Sequence, residues 1–191
     1  MSPAKRDPSA WHREVTDRFL AVAAGVTDWD TPAPPEGWDA RAVLAHLLDW
    51  LPGFLGGAGV ELSEVPAVAD DPVAAFRARS RDVQALLDDP ASAQRSFDNP
   101  HTGSMPLPEA ITRFYTADVL MHTWDLATAS GQPHRLDPQE CGAMADEMAP
   151  IAPMLASSGQ YAPAVPVPAD ADGVDRLVGL IGRDPAWAAR A

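Results

Sequence analysis

Apolar residues return every three or four positions through most of this sequence, and the period-two alternation of β-branched residues that marks strands is almost absent. A chain patterned this way buries its apolar stripes by packing helix on helix, so the expected fold class is all-α. Its 191 residues suffice for one compact core, and residues 1–191 are read as a single domain.

The first helix, about residues 8–24, carries Trp11, Val15, Phe19 and Val22 on one stripe. The second follows Asp39, whose carboxylate can cap the free amides of the first turn while Trp38 is placed to staple onto Val43. It reaches Leu51, where Pro52-Gly53 breaks or kinks it. The third, about 72–87, offers Val73, Phe76, Val83, Leu86 and Leu87 inward and Arg77, Arg79 and Arg81 outward, and a loop over 88–106 follows. The fourth, about 107–130, is the longest and most apolar; Pro108 and Glu109 suit its first turn, and Gly131-Gln132-Pro133 stops it. A fifth covers about 138–157, residues 161–172 are proline-rich and extended, and a short last helix from Asp172 or Gly173 carries Leu177, Val178, Leu180 and Ile181.

Composition narrows the partners. A net charge of −13 and a pI near 4.5 oppose any mode of binding that neutralises phosphates, so nucleic acid is not an expected partner. The first eleven residues include Lys5, Arg6 and Asp7 and lack a continuous apolar stretch, reading neither as a signal peptide nor as a membrane span; a cytoplasmic location is expected. Cys141 is the single cysteine, which excludes an intramolecular disulfide and a cysteine-rich zinc cage. Any metal must therefore be held by nitrogen and oxygen.

Those ligand types occur together on the fourth helix. Ile111, Phe114, Asp118, His122 and Asp125 succeed one another at spacings of three or four, so the polar members share a face with core residues and point inward. Burying such groups costs several kcal/mol unless partners satisfy them, and one metal ion satisfies Asp118 and His122 together, since Cβ atoms one turn apart lie roughly 6 Å from each other. On the second helix Val43, His46, Leu47 and Trp50 form the apolar face, and His46 alone among them can ligate. Two imidazoles and a carboxylate with open positions describe a catalytic zinc site or a facial triad for iron, and the residues do not choose between them.

Spacing alone equally describes a carboxylate orienting a core histidine. Asp125 reads as a hydrogen-bond acceptor behind a ligand or as a structural ion-pair partner. Trp38, Trp50 and Trp124 read as packing groups able to wall a pocket, Cys141 as a buried small hydrophobe, and His12 and His134 as surface residues. His101, in the loop 98–103, reads as a solvated histidine and stays outside the ligand set.

The string Ala45-His46-Leu47 behind Trp38-Asp39, followed by Asp118-x-x-x-His122-Thr123-Trp124-Asp125-Leu126-Ala127 and Gly131, resembles the DinB-like superfamily. Within it the likeness is to actinobacterial metal-binding proteins related to the N-terminal domain of mycothiol-dependent maleylpyruvate isomerase. Val165-Pro166-Val167-Pro168, Asp175-Arg176-Leu177 and Gly182-Arg183-Asp184-Pro185 resemble the ending of that subgroup, so the likeness covers nearly the whole chain.

The resemblance implies a four-helix bundle, here with a short additional C-terminal helix, and a divalent metal, commonly zinc, with nickel or iron as alternatives. Its ligands would be His46, Asp118 and His122, although the subgroup more usually has Glu where this chain has Asp118. Characterised relatives include isomerases and transferases that use mycothiol or bacillithiol. The implied function is a metal-dependent enzyme that activates a low-molecular-weight thiol, a mycothiol-type S-transferase, with a thiol and an electrophilic substrate as partners. Maleylpyruvate isomerisation is not the expected reaction, because that isomerase has an additional C-terminal domain for which this chain is too short. The alternatives are a metal-assisted hydrolase with an ion-bound water as nucleophile, and a non-catalytic metal- or small-ligand-binding protein, with a second copy of the chain as a candidate partner in a homodimer.

Overall fold

The computed structural model describes residues 6–99, 103–157 and 159–188. Helices α1 (Pro8–Ala23), α2 (Ala40–Gly56) and α3 (Pro72–Asp88) pack with a fourth helical run around one core. That run consists of α4 (Leu107–Ala110), a π-helical stretch (Ile111–Thr116) and α5 (Ala117–Ala129), joined without leaving helical backbone angles. Further along, α6 (Pro138–Met148), α7 (Ala152–Ser157) and α8 (Gly173–Leu180) complete the helices, with α8 lying on α6 and reaching α5. The protein is mostly helical, as the periodicity implies. Among the described residues no helix is long and apolar enough to cross a membrane.

Much of the acidic excess has a local purpose. Five helices begin on an aspartate whose carboxylate accepts a first-turn amide: Asp7 from Ala10, Asp39 from Ala42, Asp71 from Ala74, Asp137 from Gln139, and Asp172 from Val174 and Asp175. Each such cap stabilises its helix by about 1 kcal/mol. The buried faces then meet: Trp11 and Phe19 of α1, Leu44, Leu47 and Leu51 of α2, Phe76 of α3, and Tyr115 and Leu120 of the fourth run are all sealed from solvent. Glu140, also buried, ties α6 to α1 by accepting from Trp11 Nε1 at 2.6 Å and Arg18 Nη1 at 2.7 Å.

Several elements differ from their sequence reading. α2 runs through Pro52 to Gly56, because proline removes only its own amide from the ladder and the buried Leu51 and Leu55 anchor the helix on both sides of it. The fifth helix is divided: Pro150 and Pro153 lack amide donors, and a 3-10 turn (Ala149–Ile151) separates α6 from α7. Part of the expected loop at 88–106 is an antiparallel hairpin, β1 (Ser96–Asn99) with β2 (Gly103–Pro106), pairing Phe97 with Met105. Only Phe97 of these strands is fully buried, too little alternation to read as a strand. His101 lies outside the described residues.

Arg79 is not outside with Arg77 and Arg81. It is buried, with Nη1 3.2 Å from Asp82 Oδ2. His134 is half-buried, its Nδ1 accepting the Leu136 amide at 3.1 Å. His12, expected on the surface, is fully buried with Nδ1 3.0 Å from Thr116 Oγ1.

Burial lowers the His12 pKa from 6.5 to about 4. The unfolded chain therefore binds a proton that the folded chain refuses, so stability falls as pH drops from about 6.5 to about 4 and is insensitive to this residue beyond that window. The shift is worth roughly 3 kcal/mol. Urea denaturation of His12→Asn is expected to show a flatter acid slope than wild type over this window; an equal slope would assign it to other groups.

Candidate metal centre

The site lies where α2 faces α5. Asp39 caps α2 and so starts it in the register that places His46 and Trp50 one turn apart toward α5. The preceding loop is pinned by Ala33 N to Trp38 O and by Ala40 N to Thr31 O, each 2.9 Å, which seats the Trp38 ring 5.1 Å from His46 and 5.8 Å from His122, nearly parallel to the latter. On α5, Asp118, His122 and Asp125 follow regular helical spacing, because all three lie beyond the π-helical stretch. The structure thus brings together all four residues singled out from the sequence.

Asp118 is the hub. Its Oδ2 is 3.2 Å from His46 Nε2 and accepts from Trp50 Nε1 at 3.2 Å, while its Oδ1 is 3.4 Å from His122 Nε2. One ligand atom from each of His46, Asp118 and His122 lies within 4.8 Å of the others. Ligands bound at about 2.0–2.2 Å to a common tetrahedral ion sit roughly 3.3–3.6 Å apart, which both imidazole–carboxylate separations approach. The Asp118 carboxylate therefore reaches both imidazoles. The cluster is most accessible at His46, whose side chain is 35% exposed, against 15% for Asp118 and 6% for His122.

The hydrogen bonds around His122 make the strongest case for a cation. Its Nδ1 is 2.8 Å from Asp125 Oδ2. Burial pushes the Asp125 carboxyl up, but His122 and Arg183 outweigh it and hold the group below the ordinary value, so it is an anion that only accepts. His122 therefore donates from Nδ1, and whenever the ring is neutral its Nε2 lone pair faces Asp118 Oδ1. Two facing acceptors repel unless a proton or a metal ion sits between them. Burial alone would lower the His122 pKa, yet Asp118 and Asp125 outweigh it and raise it, so in the absence of a metal a proton on the ring can fill that place. These residues can hold a metal ion.

Three contributors were not assigned to the site from the sequence. Arg183 donates Nε to Asp125 Oδ1 and Nη2 to Oδ2, both at 3.1 Å. It follows Gly182, whose φ of +82° and closeness to Ala162 admit no side chain, so a turn after α8 sends the arginine back to α5. A glycine-arginine pair behind a helix is a weak signal without the fold. Trp38, Trp50 and Trp124 read from the sequence as packing groups able to wall a pocket: Trp38 flanks the site and Trp124 is a core residue, while Trp50 in addition binds Asp118 through its N–H. Tyr161 is pushed up to about 12 by burial, with Asp118 adding and Arg183 opposing, and therefore keeps its phenolic proton near the site. Cys141 is sealed in the core with its thiol raised to about 12, chiefly by burial.

With this geometry in hand, comparison with known proteins gives a match to the mycothiol maleylpyruvate isomerase N-terminal domain over residues 12–127. The chain belongs to that family. The matched segment contains His46, Asp118, His122 and Asp125 but ends before Arg183. Two uncharacterized proteins of Mycobacterium tuberculosis, from strains CDC 1551 and H37Rv, are each 29% identical over 181 residues, covering 93% of this chain and 98% of their own. No solved structure matches significantly.

The Trp50 N–H holds the Asp118 carboxylate, and were Asp118 to ligate a metal, loss of such a bond would typically cost tenfold or more in affinity. Trp50→Phe keeps the ring and removes the donor. Competition titration with a zinc indicator is expected to show about tenfold weaker binding, whereas unchanged affinity would leave the indole as a wall and nothing more.

Proposed function

We propose that this protein holds one divalent ion, most simply zinc, between His46, Asp118 and His122, and uses it to transfer a low-molecular-weight thiol of the mycothiol type to an electrophilic acceptor. The observation that supports this reading is the cluster itself: one ligand atom from each of His46, Asp118 and His122 lies within 4.8 Å of the others, with His46 the most exposed of the three. Membership in a mycothiol-related family supplies the thiol. Nickel and iron suit the same nitrogen and oxygen donors.

A bound divalent ion would supply Lewis acidity, lowering the pKa of a thiol so that it acts as a thiolate near neutral pH. The chain's own residues do the rest. His46 and the rings of Trp38 and Trp50 line the accessible side, giving an incoming thiol an aromatic wall. Asp125 holds His122 by its Nδ1 proton and keeps Nε2 aimed at the centre. Cys141, buried and protonated, does not compete as a nucleophile, so the reacting sulfur comes from outside. A cytoplasmic location goes with this reading, since thiols are kept reduced there, and residues 1–191 are taken as one domain.

Elemental mass spectrometry of untagged protein is expected to find near-stoichiometric metal in wild type and its loss in His46→Ala and His122→Ala. Cobalt-substituted protein should then develop a sulfur-to-cobalt charge-transfer band on addition of mycothiol. Metal retained with no such band, and no thiol consumed across a panel of electrophiles, would leave a binding protein instead of a transferase. A wild type that takes up no metal even on reconstitution would sink the reading altogether.

A further inference from the structure

The family match stops at residue 127, yet the guanidinium that grips the buried carboxylate behind His122 arrives from residue 183. We propose that Arg183 is a positioning residue for the metal centre, acting through Asp125 to fix the tautomer and ring orientation of His122, so that the turn after α8 is part of the centre. This rests on the metal-binding reading above.

Asp125 is wholly removed from solvent, and its two oxygens have three donors around them. Arg183 takes one bond to each oxygen, and Oδ2 has a second acceptor direction free for His122 Nδ1. A single donor would leave the carboxylate able to turn about its Cβ–Cγ bond, carrying the Nδ1 acceptor with it. Two parallel bonds from a planar fork hold the carboxylate plane, and with it the direction in which His122 must donate. A lysine, with one compact charge, does not reproduce that constraint.

The arginine is itself held. Its Nη1 donates to the Ile181 carbonyl at 3.2 Å, and its backbone amide donates to Val178 O at 2.8 Å. Farther back, α8 is seated on α6 at Gly173, where an added Cβ would lie 1.9 Å from the Pro138 carbonyl oxygen and 2.5 Å from the Gly142 nitrogen. A run of close contacts therefore leads from the α6–α8 packing through Arg183 and Asp125 to His122.

The test measures zinc affinity and cobalt d–d spectra for wild type, Arg183→Lys, Arg183→Met, Asp125→Asn and the Asp125→Asn/Arg183→Met double variant, with circular dichroism melts to confirm folding. Arg183→Met is expected to weaken zinc by roughly 10–100-fold and change the cobalt spectrum, with Arg183→Lys only partly restoring either. In the Asp125→Asn background the arginine should no longer matter. Nitrogen chemical shifts of the His122 ring in metal-free protein, at a pH where the ring is neutral, should show the Nδ1–H tautomer in wild type and a mixture in Arg183→Met. Wild-type affinity and spectrum in Arg183→Met, an equal loss in the Asp125→Asn background, or unchanged His122 ring signals would each overturn the proposal. Failure of wild type to bind metal while the ring signals still differ would instead overturn the metal-binding reading and with it the role in a metal centre, leaving only the contact to His122.

Discussion

An ionised carboxylate without access to water persists inside a helical protein only if its surroundings keep it charged, and Asp125 is that carboxylate here. Satisfying it recruits a histidine from its own helix and an arginine from the far end of the chain. The demand propagates. His122 must turn its free nitrogen toward Asp118, and Arg183 must be delivered by a tight turn after a helix docked through glycine contacts. Global arrangement and local chemistry meet in one side chain. Glu140, held by Trp11 and Arg18, plays a comparable part between α6 and α1, yet among the described residues it belongs to no cluster able to hold a metal, so a buried acid alone does not mark a site.

Around the hub the protein is stiffened by rings. Phe97 of the hairpin packs on Phe54 with centroids 4.4 Å apart, Phe54 on Trp50 at 5.3 Å, and Trp50 lies beside His46 at 6.4 Å. The hairpin adds little to the core by area, yet it backs the α2 face from which His46 and Trp50 project. Aromatic side chains suit this task because they have few rotatable bonds and large contact surfaces. The cluster is thereby flanked by rings on the α2 side, while His46 keeps contact with solvent.

The sequence was most legible where a single helix carried the information. Asp118, His122 and Asp125 sit at spacings a regular helix places on one face, and their mixture with core residues announced an inward direction. His46 was legible because it alone among the polar-capable residues stood on an apolar stripe behind a capped start. Across 111–116 Ile111 and Phe114 do face the core, but the backbone is π-helical and also buries Tyr115 and Thr116, which the spacing did not single out. The same arithmetic failed for Arg183, since nothing local tells an arginine after a short helix that its partner lies 58 residues earlier. His12 and Arg79 were misplaced for a related reason: their burial depends on what neighbouring helices bring against them, and their own periodicity does not contain it.

The one cysteine carries a consequence of its own. A protein that works with small thiols is exposed to their disulfides, and an accessible sulfhydryl would exchange with these to leave the protein capped. Cys141 is closed off in the core and held as a neutral thiol, so such exchange finds no attacking thiolate. In the proposed role, its scaffold would be indifferent to the redox balance of the pool from which it draws its reactant.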